Sequence, residues 1–208
     1  MYLPESFRET DPAALHALIR AYPLGTWVSR DADGLTADHI PFLLDSGRGP
    51  LGTLACHVAR ANPVWRRYVD GAEALVVFQG EQAYITPSWY PGKAEHGKVV
   101  PTWNYVVAHV HGRPQVIDDR DWLLRHLDAL TDAHEAGRAR PWRLADAPAA
   151  FIDRLLEHIV GVEIPIERLT GKSKASQNRP EADRHGVATG LREEGGELAR
   201  AMAERVGG

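Results

Sequence analysis

The chain has 208 residues, 44% hydrophobic and 25% charged, with 24 Lys and Arg against 28 Asp and Glu for a formal charge of −4. That balance carries enough apolar surface to offset the ordering entropy, which excludes a disordered chain, and its mild acidity argues against a general nucleic-acid coat protein. The lone cysteine, Cys56, allows no internal disulfide and fits a reducing, cytoplasmic setting; no apolar run approaches a bilayer span, and MYLPESFRETDP has no signal-peptide pattern.

In chain order, Asp11-Pro12 reads as a helix start, Asp as cap and Pro at the first helical position. Leu15, Leu18, Ile19 and Tyr22 follow helical spacing, and Pro23 with Gly25 ends the segment. Short extended runs follow at 26–30, 35–44 and 51–58, separated by a turn at 31–34 and a loop at 45–50. Asn62-Pro63 opens a short helical stretch to Tyr68, and Asp70-Gly71 turns into a strand over 74–78. Gly80-Glu81 reads as a hairpin turn into 83–86, residues 87–101 as a long loop, and 102–110 as a strand continuing to Ile117. From Asp119 the pattern is helical (Trp122, Leu123, Leu127, Leu130) to about Gly137, and 148–160 is a second amphipathic helix. A last strand covers 162–169, and the tail from Pro180 is helical.

About six short strands joined by tight turns, without crossover helices, predict a mainly β, α+β fold: an antiparallel barrel with helical decoration. The economical organisation is one domain over 1–208, with a helical insertion at about 119–160 and a helical tail at about 180–208.

Several motif matches fail on context. Gly47-Arg-Gly-Pro-Leu-Gly52 fits G-x-G-x-x-G, but it joins two strand-like runs and no helix follows to receive a pyrophosphate. Gly171-Lys172-Ser173 resembles the end of a P-loop, but Ile166 stands where the first glycine belongs. Cys56 and His57 are neighbours on a strand, so they face opposite ways and form no dyad. His109 and His111 share a strand face and could clasp a metal or haem, against surface or pocket histidines in a chain with ten.

Three segments carry more chemistry. Residues 87–105 set Trp89, Tyr90, Trp103 and Tyr105 among glycines, prolines, Lys93 and Lys98, which suits stacking on a flat ring or plugging a barrel mouth. Residues 169–179 are basic, acid-free and rich in donors, which suits an anion or a solvated turn. Residues 56–67 are also acid-free and open a helix at Asn62. The four lysines of the chain fall as two close pairs, Lys93 with Lys98 and Lys172 with Lys174, in two of these segments, while arginine serves elsewhere. Together they favour an anionic, aromatic ligand.

The strings Gly52…His57-Val-Ala-Arg-Ala-Asn-Pro63, Tyr84-Ile-Thr-Pro-Ser-Trp-Tyr90, Val100-Pro-Thr-Trp-Asn-Tyr105 and Gly171-Lys-Ser-Lys-Ala-Ser-Gln-Asn178 resemble the PaiB family of FMN-binding negative transcriptional regulators, over nearly the whole chain. Ala175 departs from the leucine usual there. The resemblance implies a six-stranded split β-barrel with FMN in a cleft of a homodimer. On that pattern His39 and Pro41 would run beside the flavin ring, and His57, Ala59, Arg60 and Asn62 would lie by the ribityl phosphate. Trp89, Tyr90, Lys98, Thr102, Trp103 and Asn104 would belong to the loop covering the ring, from its own or the partner subunit. Lys172, Lys174, Gln177 and Asn178 would donate to the phosphate or the flavin carbonyls.

No basic helix-turn-helix unit is legible, and Arg192 and Arg200 are balanced by Glu193, Glu194, Glu197 and Glu204, so any regulatory effect would be indirect. The alternative is a flavin-dependent oxidoreductase acting on a small molecule, with no catalytic residue identified; a metal or haem site on His109 and His111 ranks behind it.

Overall fold

In a computed structural model, residues 1–31, 34–68 and 71–207 are described. Among them run β1 (Arg8–Glu9), α1 (Pro12–Ala21), β2 (Leu24–Asp31), β3 (Gly34–Pro41), β4 (Leu43–Asp45), β5 (Thr53–Ala59) and β6 (Ala74–Ile85). Then follow α2 (Gly92–His96), β7 (Thr102–Gly112), β8 (Gln115–Ile117), α3 (Arg120–Glu135), α4 (Ala149–Leu156), β9 (Ile159–Lys174), α5 (Glu181–Glu194) and α6 (Glu197–Gly207). The strands hydrogen-bond in the order β3-β2-β6-β7-β9-β5-β4, with β1 and β8 also on β9. The described residues thus hold nine strands rather than six.

The chain forms two compact units, one of Met1–Tyr22, Phe78–Ala108 and Thr170–Gly208, the other of Pro23–Val77 and His109–Leu169. In the first, the Asp11 carboxylate accepts from the Ala13 N–H at 2.9 Å, so α1 starts where its cap and Pro12 dictate. Its buried face, Leu15, Leu18 and Ile19, rests on two strand glycines. A Cβ on Gly80 would stand 2.4 Å from the Leu18 side chain, and one on Gly171 2.3 Å from Leu15. The predicted turn at Gly80-Glu81 is therefore absent; β6 runs straight through, and its glycine makes room for a helix. Likewise Gly171 lies inside β9, not in a loop, because β9 extends to Lys174. Val187, Leu191, Met202, Ala203 and Val206 bury the inner faces of α5 and α6, and Arg205 pairs with the buried Glu81.

In the second unit, β2 pairs antiparallel with β3 in register Thr26↔His39, and β5 with β9 in register His57↔Gly161. Leu54, Cys56 and Val58 point inward from β5 by strict alternation. Burial raises the Cys56 thiol well above its ordinary range. Trp27 is fully buried against Phe42 and Tyr68, its indole N–H donating to the Tyr68 hydroxyl at 3.0 Å. Asp119 caps α3 through the Trp122 N–H at 2.6 Å, and Leu123, Ile152 and Leu156 form a small core between α3 and α4. The second amphipathic helix ends at Leu156 rather than Val160, since Ile159 and Val160 already belong to β9. The strand predicted over 102–117 is two, β7 and β8, and the run 35–44 is split between β3 and β4. Residues 87–101 hold a one-turn 3₁₀ helix at Pro87–Trp89 and the short α2. The Gly47–Gly52 segment is a hairpin loop between β4 and β5, as its context required. Of the two predicted turns at 31–34 and 70–71, Ala32, Asp33 and Asp70 lie outside the described residues.

Candidate functional site

In the first unit, the end of β9 and the turn after it gather three cations. Lys172 and Lys174 share one strand face by the period of two. Lys172 is only 7% exposed; its ammonium donates to the Tyr2 carbonyl at 3.2 Å and lies 5.7 Å and 5.2 Å from the ring centroids of Tyr2 and Tyr105. Lys174 donates to the Thr102 hydroxyl and to the Trp103 carbonyl. The Arg179 guanidinium sits 5.0 Å over the ring of Tyr90. Among the described residues, none of the three pairs with a carboxylate. Burial lowers the Lys174 ammonium below its ordinary range; Tyr105 opposes that, and Lys172 and Arg179 add to it.

The turn itself is held under strain. Ser176 has φ 62°, a left-handed conformation in a residue that is not glycine. The fully buried Asn104 donates from Nδ2 to the Ser176 hydroxyl at 2.9 Å. Among the described residues, Asn104 Oδ1 and the Tyr90 hydroxyl are buried without a hydrogen-bond partner.

The other residues expected here divide. Gln177 turns both ends of its amide onto its own loop, accepting from the Ala175 N–H at 2.7 Å and donating to the Ser173 carbonyl. Asn178 and Lys98 are exposed. Trp89 packs against α5, where a Cβ on Gly190 would meet its ring at 2.3 Å and one on Gly186 its carbonyl oxygen at 2.0 Å. Trp103 is half-exposed beside Tyr84, ring centroids 6.1 Å apart, and donates to Gln82 at 3.2 Å. Arg179 and Ser176 belong to this cluster although the sequence did not single them out, the acid-free run ending at Arg179 being the available signal; Tyr105 was already legible as a candidate stacking ring.

The remaining expected residues lie in the second unit. His39 and Pro41 are exposed on β3, as is Ala59 at the end of β5. Arg60 is fully engaged: bidentate to Asp118 at 2.9 and 2.6 Å, with further bonds to the Glu157 and Ile159 carbonyls. The Asn62 side chain accepts from the Val64 N–H at 2.9 Å and donates to Asp38 at 2.7 Å, capping a single 3₁₀ stretch, Pro63–Tyr68. His57 Nδ1 meets His126 Nε2 at 3.1 Å, and His126 stacks on Trp122 with an interplanar angle of 9°. Burial holds both imidazoles neutral, His126 down to about 4, with His57 reinforcing that shift and Glu163 opposing it. Of the pair His109 and His111, His111 bonds Glu73 at 3.2 Å; among the described residues no group of three or more His, Cys, Asp or Glu could hold a metal ion.

The two units thus differ in what they can hold. The donors at Arg60 and Asn62 already have protein partners, whereas Lys172, Lys174 and Arg179 have no carboxylate partner among the described residues and stand among Tyr2, Tyr90 and Tyr105. Cations without a counter-ion among the described residues, the buried acceptor Asn104 Oδ1 and aromatic faces fit an anionic, aromatic group.

Comparison with known proteins identifies the family. Residues 1–168 match the family model described as "Putative FMN-binding domain". The chain is 30% identical over 204 residues to "Protease synthase and sporulation protein PAI 2" of Bacillus subtilis, covering 98% of this chain and 95% of that one. It is 32% identical over 241 residues to protein AN0679 of Emericella nidulans, covering 99% and 96%. Among solved structures, the FAD and heme binding protein of Mycobacterium smegmatis superposes with a TM-score of 0.59 at 22% identity, over 80% of this chain and 73% of that one. The flavocytochrome Anf3 of Azotobacter vinelandii gives 0.59 at 13% identity, over 80% and 69%. The fold is the α+β split barrel with C-terminal helices, FMN is the cofactor, and the chain belongs to the PaiB family of FMN-binding proteins.

Proposed function

We propose that the anionic end of FMN is held by Lys172, Lys174 and Arg179, and that the whole chain works as one domain of a cytoplasmic homodimer. Three cations without a carboxylate partner among the described residues carry this reading. Lysine supplies a point charge, and the guanidinium a planar fork suited to phosphate oxygens. Asn104, Gln177 and Asn178 border the same turn, with Thr102 and Trp103 bound to Lys174. Bound there, FMN would supply redox capacity; the chain's own groups orient it and neutralise its charge.

The regulatory effect is indirect. The B. subtilis relative is named for protease synthase and sporulation, and the four arginines of this chain's tail stand among five glutamates. Reconstitution with FMN followed by light scattering tests the reading. A dimer with flavin absorption at one FMN per chain is expected; a monomer that takes up no flavin would overturn it.

A further inference from the structure

A cavity of about 500 Å³ opens in the second unit beside α3, lined by Leu44, Ala55, Trp122, Arg125, His126 and Ala129. That volume is in the range of small-molecule sites; the lining is divided evenly between apolar residues and the charged or titratable Asp45, Arg48, Arg125, His126 and Glu163. The charges around it are unevenly satisfied. Arg48 and Glu163 bind each other in a fork at 2.5 and 2.7 Å, and Glu163 also takes the Trp122 indole N–H at 2.9 Å. Asp45 accepts from the Gly47 N–H at 2.9 Å. Arg125, at the rim, has no carboxylate partner among the described residues.

The two histidines add a second feature. His126 is 5% exposed, and its only hydrogen bond among the described residues is the one to His57. Two neutral imidazoles joined by one bond have two remaining nitrogens, one a donor and one an acceptor, whichever tautomer is present. If His57 Nδ1 donates to His126 Nε2, the spare donor is His126 Nδ1–H, in the residue that lines the cavity. Trp122, which also lines the cavity, stacks on the His126 ring at 5.0 Å and so fixes that ring's orientation in the wall.

We propose that this cavity binds a small planar monocarboxylate, its carboxylate between Arg125 and His126 and its apolar body on Trp122, Ala55 and Leu44. Glu163, neutralised by Arg48, does not repel it, and the carboxylate selects the tautomer that points a donor from His126. The site shares none of the cations assigned to FMN; His57, which the family resemblance sets by the ribityl phosphate, enters it only as the partner of His126, so the titration without FMN separates the two readings.

Benzoate, with its uncharged isostere benzamide as control, is the probe. The full chain, with and without FMN, is titrated while the histidine ring resonances are followed by NMR. The expected result is saturable binding that shifts the His57 and His126 signals, about tenfold weaker for benzamide and for Arg125→Gln through loss of the charged contact. Ala129→Trp, which fills the cavity from an exposed helix position, should abolish it without loss of fold. Absence of saturable shifts at the two histidines, or equal binding by wild type, Arg125→Gln and Ala129→Trp, would overturn the proposal.

Discussion

Asn104 reaches from β7 to hold Ser176, Nδ2 to Oγ at 2.9 Å, and both side chains are buried. The bond locks a left-handed serine, so the backbone that presents Lys174 and Arg179 is fixed from a strand rather than left to the loop. Replacing Asn104 with Ala removes the clasp and leaves a buried hydroxyl without its partner. A loss of about 1–3 kcal/mol is expected by urea unfolding. Ser176→Gly relieves the strained φ but also loses the clasp; its smaller loss, read beside that of Asn104→Ala, separates strain from hydrogen bond.

The glycine face of α5 gives a second outcome. Helix propensity alone predicts that Gly186→Ala stabilises α5 by up to about 1 kcal/mol. A methyl there would stand 2.0 Å from the Trp89 carbonyl oxygen, which is backbone and cannot swing away. Overpacking of this kind costs about 1–3 kcal/mol, so a net lower midpoint of unfolding is expected. Gly195→Ala, at φ 77° with open space around it, should cost only its backbone strain.

The histidine pair sets a pH dependence. His126 titrates at about 4 in the fold against an ordinary 6.5, so below pH 6.5 the unfolded chain binds more protons. Stability contributed by the neutral pair is complete above pH 6.5 and drains away as the pH falls towards 4. The full span is worth about 3 kcal/mol. Measured across that range, His126→Gln should show a flatter acid limb than the wild type.

How far the sequence reached depended on whether a feature was local. Asp11 and Asp119 announced α1 and α3 because a cap and the turn it starts are two or three residues apart. The donors of 169–179 were legible as composition, and the flavin family as strings. The glycines misled: Gly80 and Gly171 looked like turns because the helix that needs their space is set by tertiary packing. His126 was invisible as a partner of His57, 69 residues away, and Arg60 read as available because Asp118 is distant in sequence. Gln177 was legible as a donor, but not as one already turned onto its own backbone.

Indirect action carries its own outcome. The pure protein should not shift a promoter fragment in a salt-dependent way, because its tail arginines stand among glutamates. A shift that weakens steeply with salt would show a phosphate-binding face.

The most direct measurement is the affinity of the full chain for FMN compared with riboflavin, which lacks the phosphate, in the wild type and in Lys174→Ala/Arg179→Ala. Two charge-assisted contacts, partly screened, are worth about 2 kcal/mol together, so FMN should bind the double variant about thirtyfold more weakly. Riboflavin should bind both proteins alike. An unchanged preference for FMN over riboflavin in the double variant would contradict the assignment of Lys174 and Arg179 to the phosphate.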